Sequence, residues 1–156
     1  MQRCTALGCL WDVTQLAEVI GGDWPAELLQ LYESERLGFV RVAYLLTRRR
    51  DVAEELVQDA FLAAVGRWDG VEYPKAYVRA AVVNRCRNWI RHQSVVRRRL
   101  RVVGSEEAAA APEQPDELWD ALGRLDERRR AAIVLRFYED LPDREIAEVL
   151  GCRPAT

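Results

Sequence analysis

Between Ala26 and Thr47 the apolar residues Leu28, Leu31, Tyr32, Phe39, Val42, Ala43 and Leu46 recur mostly at steps of three and four. That spacing gathers them on one face of an α-helix and would scatter them over both faces of a strand. The three arginines Arg48–Arg50 follow, where cations complement the negative end of a helix. Asp51 can then cap a second helix, DVAEELVQDAFLAAVGRW, whose first-turn acids suit its positive end. So short a connection predicts antiparallel contact between the two. Asp69 and Gly70 break the second helix, and Pro74 opens a third, where the N–H that proline lacks is not needed. The third helix is expected from Pro74 to about Gln93, with continuation towards Arg101. Its apolar line is Val78, Val82, Cys86 and Trp89, and Asn84, Arg87, Asn88 and Arg91 share the opposite face.

Beyond it, VVGSEEAAAAPEQPD carries prolines, glutamates and alanines and no aromatic residue, the composition of a linker. DELWDALGRL, DERRRAAIVLRFYED and PDREIAEVL then read as three short helices, with Leu118, Trp119, Leu122, Ile133, Val134, Phe137, Ile146 and Leu150 as their core. The expected fold is all-α: two small helical modules, at 25–101 and 116–156, joined by a flexible acidic linker at 102–115. Residues 1–24 end in a Gly-Gly-Asp break and stand apart as an N-terminal extension without strong periodicity. With 156 residues, 49% of them hydrophobic, the chain can bury a core. No apolar run suits a membrane span or a signal peptide, so a cytoplasmic protein is expected.

Net charge is only −2, but its distribution is uneven. From Tyr73 to Ser105 there are nine basic residues and no acid, while the remainder of the chain holds all 25 acids. One cationic segment in an anionic remainder points to a polyanion partner. Arginine forks suit phosphates and guanine edges, asparagine amides suit adenine, and aromatic rings stack on unpaired bases. Here Arg79, Arg85, Arg87 and Arg91 supply the first, Asn84 and Asn88 the second, and Trp68, Tyr73 and Tyr77 the third. Trp68 and Tyr77 read equally well as core aromatics. PDREIAEVLG, followed by a new helix start at Pro154, has the form of the first half of a helix-turn-helix.

Enzymatic readings find no support. The sequence has no glycine-rich phosphate loop, nucleophile elbow or H-E-x-x-H motif. The carboxylate pairs Glu54–Glu55 and Glu139–Asp140 are explained by capping and solvation. His92 has no cysteine at ligand spacing, and Cys4, Cys9, Cys86 and Cys152 read as reduced thiols. Neither a metal nor a cofactor is expected.

Read in order, VAYLLTRRRDVAEELVQDAFLAAVGRWDGVEYPKAYVRAAVVNRCRNWIR, the linker and LDERRRAAIVLRFYEDLPDREIAEVLGCRPAT resemble a bacterial RNA polymerase sigma factor of the sigma-70 family, extracytoplasmic-function group. The resemblance runs from about Glu27 to Thr156. It implies a non-catalytic initiation subunit that directs core polymerase to promoters and assists promoter melting. By position it implies core-polymerase contacts at Asp51, Glu55, Gln58, Asp59 and Phe61, and capture of an unpaired base by the loop Trp68–Lys75. The face Asn84, Arg87, Asn88, Arg91 would read the minus-ten element. The linker acids Glu106, Glu107, Glu113, Asp116 and Glu117 would mimic nucleic-acid charge inside the polymerase. An anti-sigma factor is a further partner of the kind the resemblance allows.

The departure lies at the C-terminus. Family members continue past the equivalent of Pro154–Thr156 with a recognition helix that reads the minus-thirty-five element, and this sequence stops there. A C-terminal module lacking one of four helices is expected to have a small core and weaker protection from hydrogen exchange than residues 27–92. The competing reading is a helical decoy that binds polymerase or a regulator without reading DNA.

Overall fold

A computed structural model of the chain describes residues 24–103 and 117–153, and every regular element among them is helical. In chain order these are α1 (Ala26–Thr47), α2 (Arg50–Val65), α3 (Pro74–Val103), α4 (Glu117–Arg124), α5 (Glu127–Phe137) and α6 (Asp143–Leu150). Of the N-terminal extension only Trp24 is described, and it is buried in the core against Tyr32; residues 1–23, the acids Glu106, Glu107, Glu113 and Asp116, and the helix start at Pro154 lie outside the described residues, as does the expected burial of Leu118. No described helix is long and apolar enough to cross a membrane.

The first helix has the span its periodicity predicts. Its stripe is buried at Leu28, Tyr32, Phe39, Val42, Ala43 and Leu46. Arg48 ends it in the left-handed conformation at φ 62°, with its N–H on the Tyr44 carbonyl at 2.8 Å. Two residues later α2 begins, folding back onto α1, and α3 closes a three-helix bundle against both. At its centre Phe61 is fully buried between Tyr32, edge-on at 4.9 Å between ring centroids, and Phe39 at 6.0 Å. Val78, Val82, Val83 and Cys86 of α3 complete the packing, and burial pushes the Cys86 thiol up to about 12, so it packs as a small apolar group.

Three boundaries differ from expectation. Asp51 does not cap α2. The cap position is Arg49, and the Asp51 carboxylate, inside the first turn, pairs with the Arg49 guanidinium, which holds its carboxyl below the usual range. The same helix ends at Val65, three residues before Trp68, because Gly66 closes it. In the other direction α3 exceeds the expected stop and runs to Val103, since no glycine or proline interrupts it.

The C-terminal helices pack against the N-terminal bundle. Ala131, Val134, Leu135, Leu141, Ile146 and Leu150 belong to the same buried cluster as the N-terminal bundle, with α5 against α1 and α3, and α6 against α3. This corrects two core assignments. Ile133 and Phe137 are exposed, Phe137 by 82%, and their places inside are taken by Ala131 and Leu135. The buried face of α5 is rotated because it serves the first module as well as its own.

Arg130 makes that joint. Its guanidinium is buried and donates to the carbonyls of Leu122 at 2.8 Å, Leu125 at 3.1 Å and Leu46 at 2.7 Å. The last is a C-terminal carbonyl of α1, which has no partner within its own helix. Burial lowers the pKa of this guanidinium, and the neighbouring charge of Arg48 lowers it further. Beside it Trp119 of α4 packs edge-on against Tyr44 at 4.8 Å, with the Arg48 guanidinium over its ring. Asp126 caps α5 by accepting from the Arg128 and Arg129 amides at 3.0 and 2.8 Å.

Replacing Arg130→Met should lower stability by about 2–3 kcal/mol in urea unfolding, because buried carbonyls lose a charged donor. A change below about 0.5 kcal/mol would show that Arg130 is not the tie. Phe61→Ala should cost about 3–5 kcal/mol, as for a fully buried aromatic.

Candidate nucleic-acid interface

The cationic segment folds as the long helix α3, preceded by the loop 66–73. Pro74 opens the helix, and the Tyr77 amide donates to the Tyr73 carbonyl at 2.9 Å to close its first turn. In the loop, the Val71 amide bonds to the Trp68 carbonyl at 3.1 Å, and Gly70 takes φ 89°, a conformation that other residues rarely adopt. An open cleft of about 540 Å³ lies here, lined by Arg67, Asp69, Val71, Tyr73 and Tyr77 among others.

The three aromatics of this region part company. Trp68 is buried in the core, so it supports the loop from below and offers no free ring. Tyr77 is half-buried at the edge of the cleft. Tyr73 is 68% exposed, and its ring alone of the three stands open to stack on a base.

Along α3 the polar residues separate into two sets. Asn84 and Asn88 are exposed, and Arg85 is half-buried with its guanidinium 3.5 Å from the Ala81 carbonyl. The other three arginines are engaged by the C-terminal helices. Arg79 is buried and its Nε donates to Glu139 Oε2 at 2.9 Å, with Glu145 at 4.0 Å. Arg87 is buried and donates to the Leu150 carbonyl at 3.3 Å, while its Nε has no partner. Arg91 pairs with Glu127 at 3.0 Å. Of the expected reader Asn84, Arg87, Asn88, Arg91, only Arg87 is buried, and Arg91 stays exposed in its ion pair. Helical spacing carries no information on what packs against α3 at these positions.

Burial lowers the pKa of the Arg87 guanidinium, and the Arg91 charge adds to the effect. An unpaired buried donor costs about 1–3 kcal/mol. Arg87 is thus a cation held without a carboxylate partner, suited to meet a phosphate once uncovered.

The acidic face expected on α2 is present at Asp51, Glu55 and Asp59, all exposed, and at Gln58, half-buried. Phe61 is not part of it. Its side chain is fully enclosed, and the helix turns it inwards, away from any docking surface. The acid pair Glu139–Asp140 also differs from its expected solvated role. Glu139 is only 13% exposed in its ion pair, and Asp140 turns the chain at φ 51°. Among the described residues no three His, Cys, Asp or Glu side chains come together as a metal site.

Arg130, Glu127 and Glu139 tie distant segments together and are positions that motif and charge patterning do not single out. The first was legible, since Arg130 precedes Val134 by one turn and so lies on the buried face of α5. The two glutamates gave no such signal, because their partners are 36 and 60 residues away.

Comparison with known proteins gives this arrangement its context. The sigma-70 region 2 profile matches residues 31–96, and the sigma-70 region 4 profile matches residues 116–156. An RNA polymerase sigma-E factor of Streptomyces avermitilis is 30% identical over 115 residues, covering 67% of this chain and 62% of that protein. The sigma-E factor of Streptomyces coelicolor matches to the same extent. The RNA polymerase sigma factor SigV of Bacillus subtilis is 27% identical over 135 residues, with 81% of this chain and 79% of that protein covered. The match thus spans less than two thirds of the sigma-E relatives' length. No solved structure matches the chain. With the region 2 profile on the helices that carry the acidic and the cationic faces and the region 4 profile following it in sequence, the chain belongs to the sigma-70 family, in the extracytoplasmic-function group.

Proposed function

We infer that the chain is a sigma factor that joins core RNA polymerase, directs it to promoters and helps separate the strands there. The observation that carries this reading is that Asn84, Asn88 and Arg91 stand exposed on α3, a helix without a single acid, which the cleft at Tyr73 precedes. Amides give base selection, guanidinium groups give phosphate grip, and the exposed ring gives a stacking platform for a base that has left the duplex. The opposite partner surface is the acidic face of α2, at Asp51, Glu55, Gln58 and Asp59, which suits a basic patch on the core enzyme. No catalytic group is required of the subunit itself. It acts in the cytoplasm, where polymerase and promoter DNA are, and an anti-sigma factor would hold it by the same surfaces.

A second reading has an observation in its favour. Because Arg79, Arg87 and Arg91 are already engaged within the chain, a protein that occupied the polymerase core without reading DNA would look the same when free. Asn84 and Asn88 separate the two, since neither takes part in those contacts.

Co-elution of the full chain with core polymerase on a sizing column is the first test, and charge reversal at Asp51 and Glu55 should abolish it. Asn84→Ala with Asn88→Ala should leave co-elution intact and weaken discrimination between promoter and scrambled single strands by about 1–3 kcal/mol per lost amide contact. No loss of discrimination would favour the decoy. On single-stranded promoter DNA, Arg91→Ala should lower affinity for all sequences alike and reduce the salt slope by about 0.7. An unchanged slope would remove Arg91 from the phosphate contacts.

A further inference from the structure

We propose that α3 carries a second DNA grip beyond the amide pair: Arg98 and Arg99, about 15 Å further along the helix, hold the phosphate backbone of the duplex that adjoins the melted element. The proposal rests on the reading of α3 as the DNA-binding face and adds a double-stranded ligand to it. Its ground is how far the helix continues past the bundle. α3 has 30 residues, a length of about 45 Å, yet none of its described residues after Arg87 is buried. The Ser94 hydroxyl donates back to the Arg91 carbonyl at 2.7 Å, and Val95 is 48% exposed. The helix thus outruns the part of it that the bundle buries.

Sequence and register define what this extension offers. It carries Arg97, Arg98, Arg99 and Arg101 and no acid. Like charges three and four residues apart weaken a helix, and the macrodipole favours cations only within the last turn, so Arg97, Arg98 and Arg99 have no local account. A polyanion supplies one. With 3.6 residues per turn, the positions of Asn84, Asn88, Arg91, Arg98 and Arg99 fall within an arc of about 100°, and Arg97 falls about 100° outside it. One face therefore runs from the amides to the arginine pair. Amides select base edges, whereas arginines at a fixed separation suit phosphates at a fixed separation. A duplex has them, at about 3.4 Å per step on each strand, so 15 Å spans about four steps. A flexible single strand does not. Melting is local, so duplex borders the melted element within reach of the same helix.

The test uses the full chain bound to core polymerase and two fluorescein-labelled probes read by anisotropy: a fork, duplex upstream and single-stranded across the minus-ten element, and the same single strand alone. Arg98→Ala with Arg99→Ala should weaken fork binding about tenfold and leave single-strand binding unchanged. The salt slope on the fork should fall by about 2, for two lost phosphate contacts. Arg97→Ala removes the same charge off that face and should weaken fork binding by less than either single variant on it. Ser94→Pro keeps every arginine but breaks the helix between the two grips, so it should lose fork affinity as the double variant does and keep the single strand. Circular dichroism and the urea midpoint confirm folding, which alanine in a helix preserves. Undiminished fork affinity in the double variant would overturn the proposal, as would an equal loss on both probes. A loss with Arg97→Ala as large as with Arg98→Ala, or full fork affinity in a folded Ser94→Pro chain, would overturn the single rigid face. A parent complex that binds neither probe would instead overturn the reading of α3 on which the proposal rests.

Discussion

The buried guanidinium of Arg130 joins parts of the chain that share no continuous helix. It holds the last turn of α1 at Leu46 and the α4–α5 turn at Leu122 and Leu125, and it does so without a carboxylate partner. Carbonyls at helix ends need donors that their own helices cannot provide, and a planar fork with five N–H groups serves several at once. The side chain is held from both sides, since Val134 and Leu135 anchor α5 in the common core and Arg48 and Trp119 close the space beside it. Everything that α5 and α6 do to α3 depends on this placement. Without it, the short C-terminal helices would have to rely on a few apolar residues of their own.

Closure sets the charge arrangement to use. The sequence separates a cationic segment from an anionic remainder, and in the folded chain the two meet, carboxylates of α5 and its following turn against arginines of α3. A paired, partly desolvated ion pair contributes little net stability but is selective for one arrangement, since removing either partner leaves the other stranded. The acidic face of α2 takes no part in this pairing, as Asp51, Glu55 and Asp59 are exposed and Asp51 pairs only with its neighbour Arg49. The acidic face of α2 is thus open, while on α3 Arg79 and Arg87 are buried and Asn84, Asn88 and Arg91 are exposed.

Most of the helical framework was legible in the sequence, because it is fixed by local effects. The stripe Leu28 to Leu46 dictates α1, Pro74 marks the start of α3, and Gly151, at φ 61°, ends α6. What escaped depends on contacts between distant segments. Phe137 and Ile133 follow an apolar rhythm yet face solvent, because α5 presents its other face to the first module. Phe61 carries a docking residue's position and a core residue's environment, and only packing separates the two. The candidate site shows the same division. Its membership on α3 follows from spacing, whereas the covering of Arg79 and Arg87 follows from residues 60 and 63 positions away.

The most direct test of the central claim, that Arg79 and Arg87 of α3 are covered in the free chain, is their individual reactivity towards phenylglyoxal, read by mass spectrometry. In the free protein Arg79 and Arg87 should react far more slowly than the exposed Arg129 and Arg144. Reaction of Arg79 and Arg87 in the free chain as fast as Arg129 would contradict the claim.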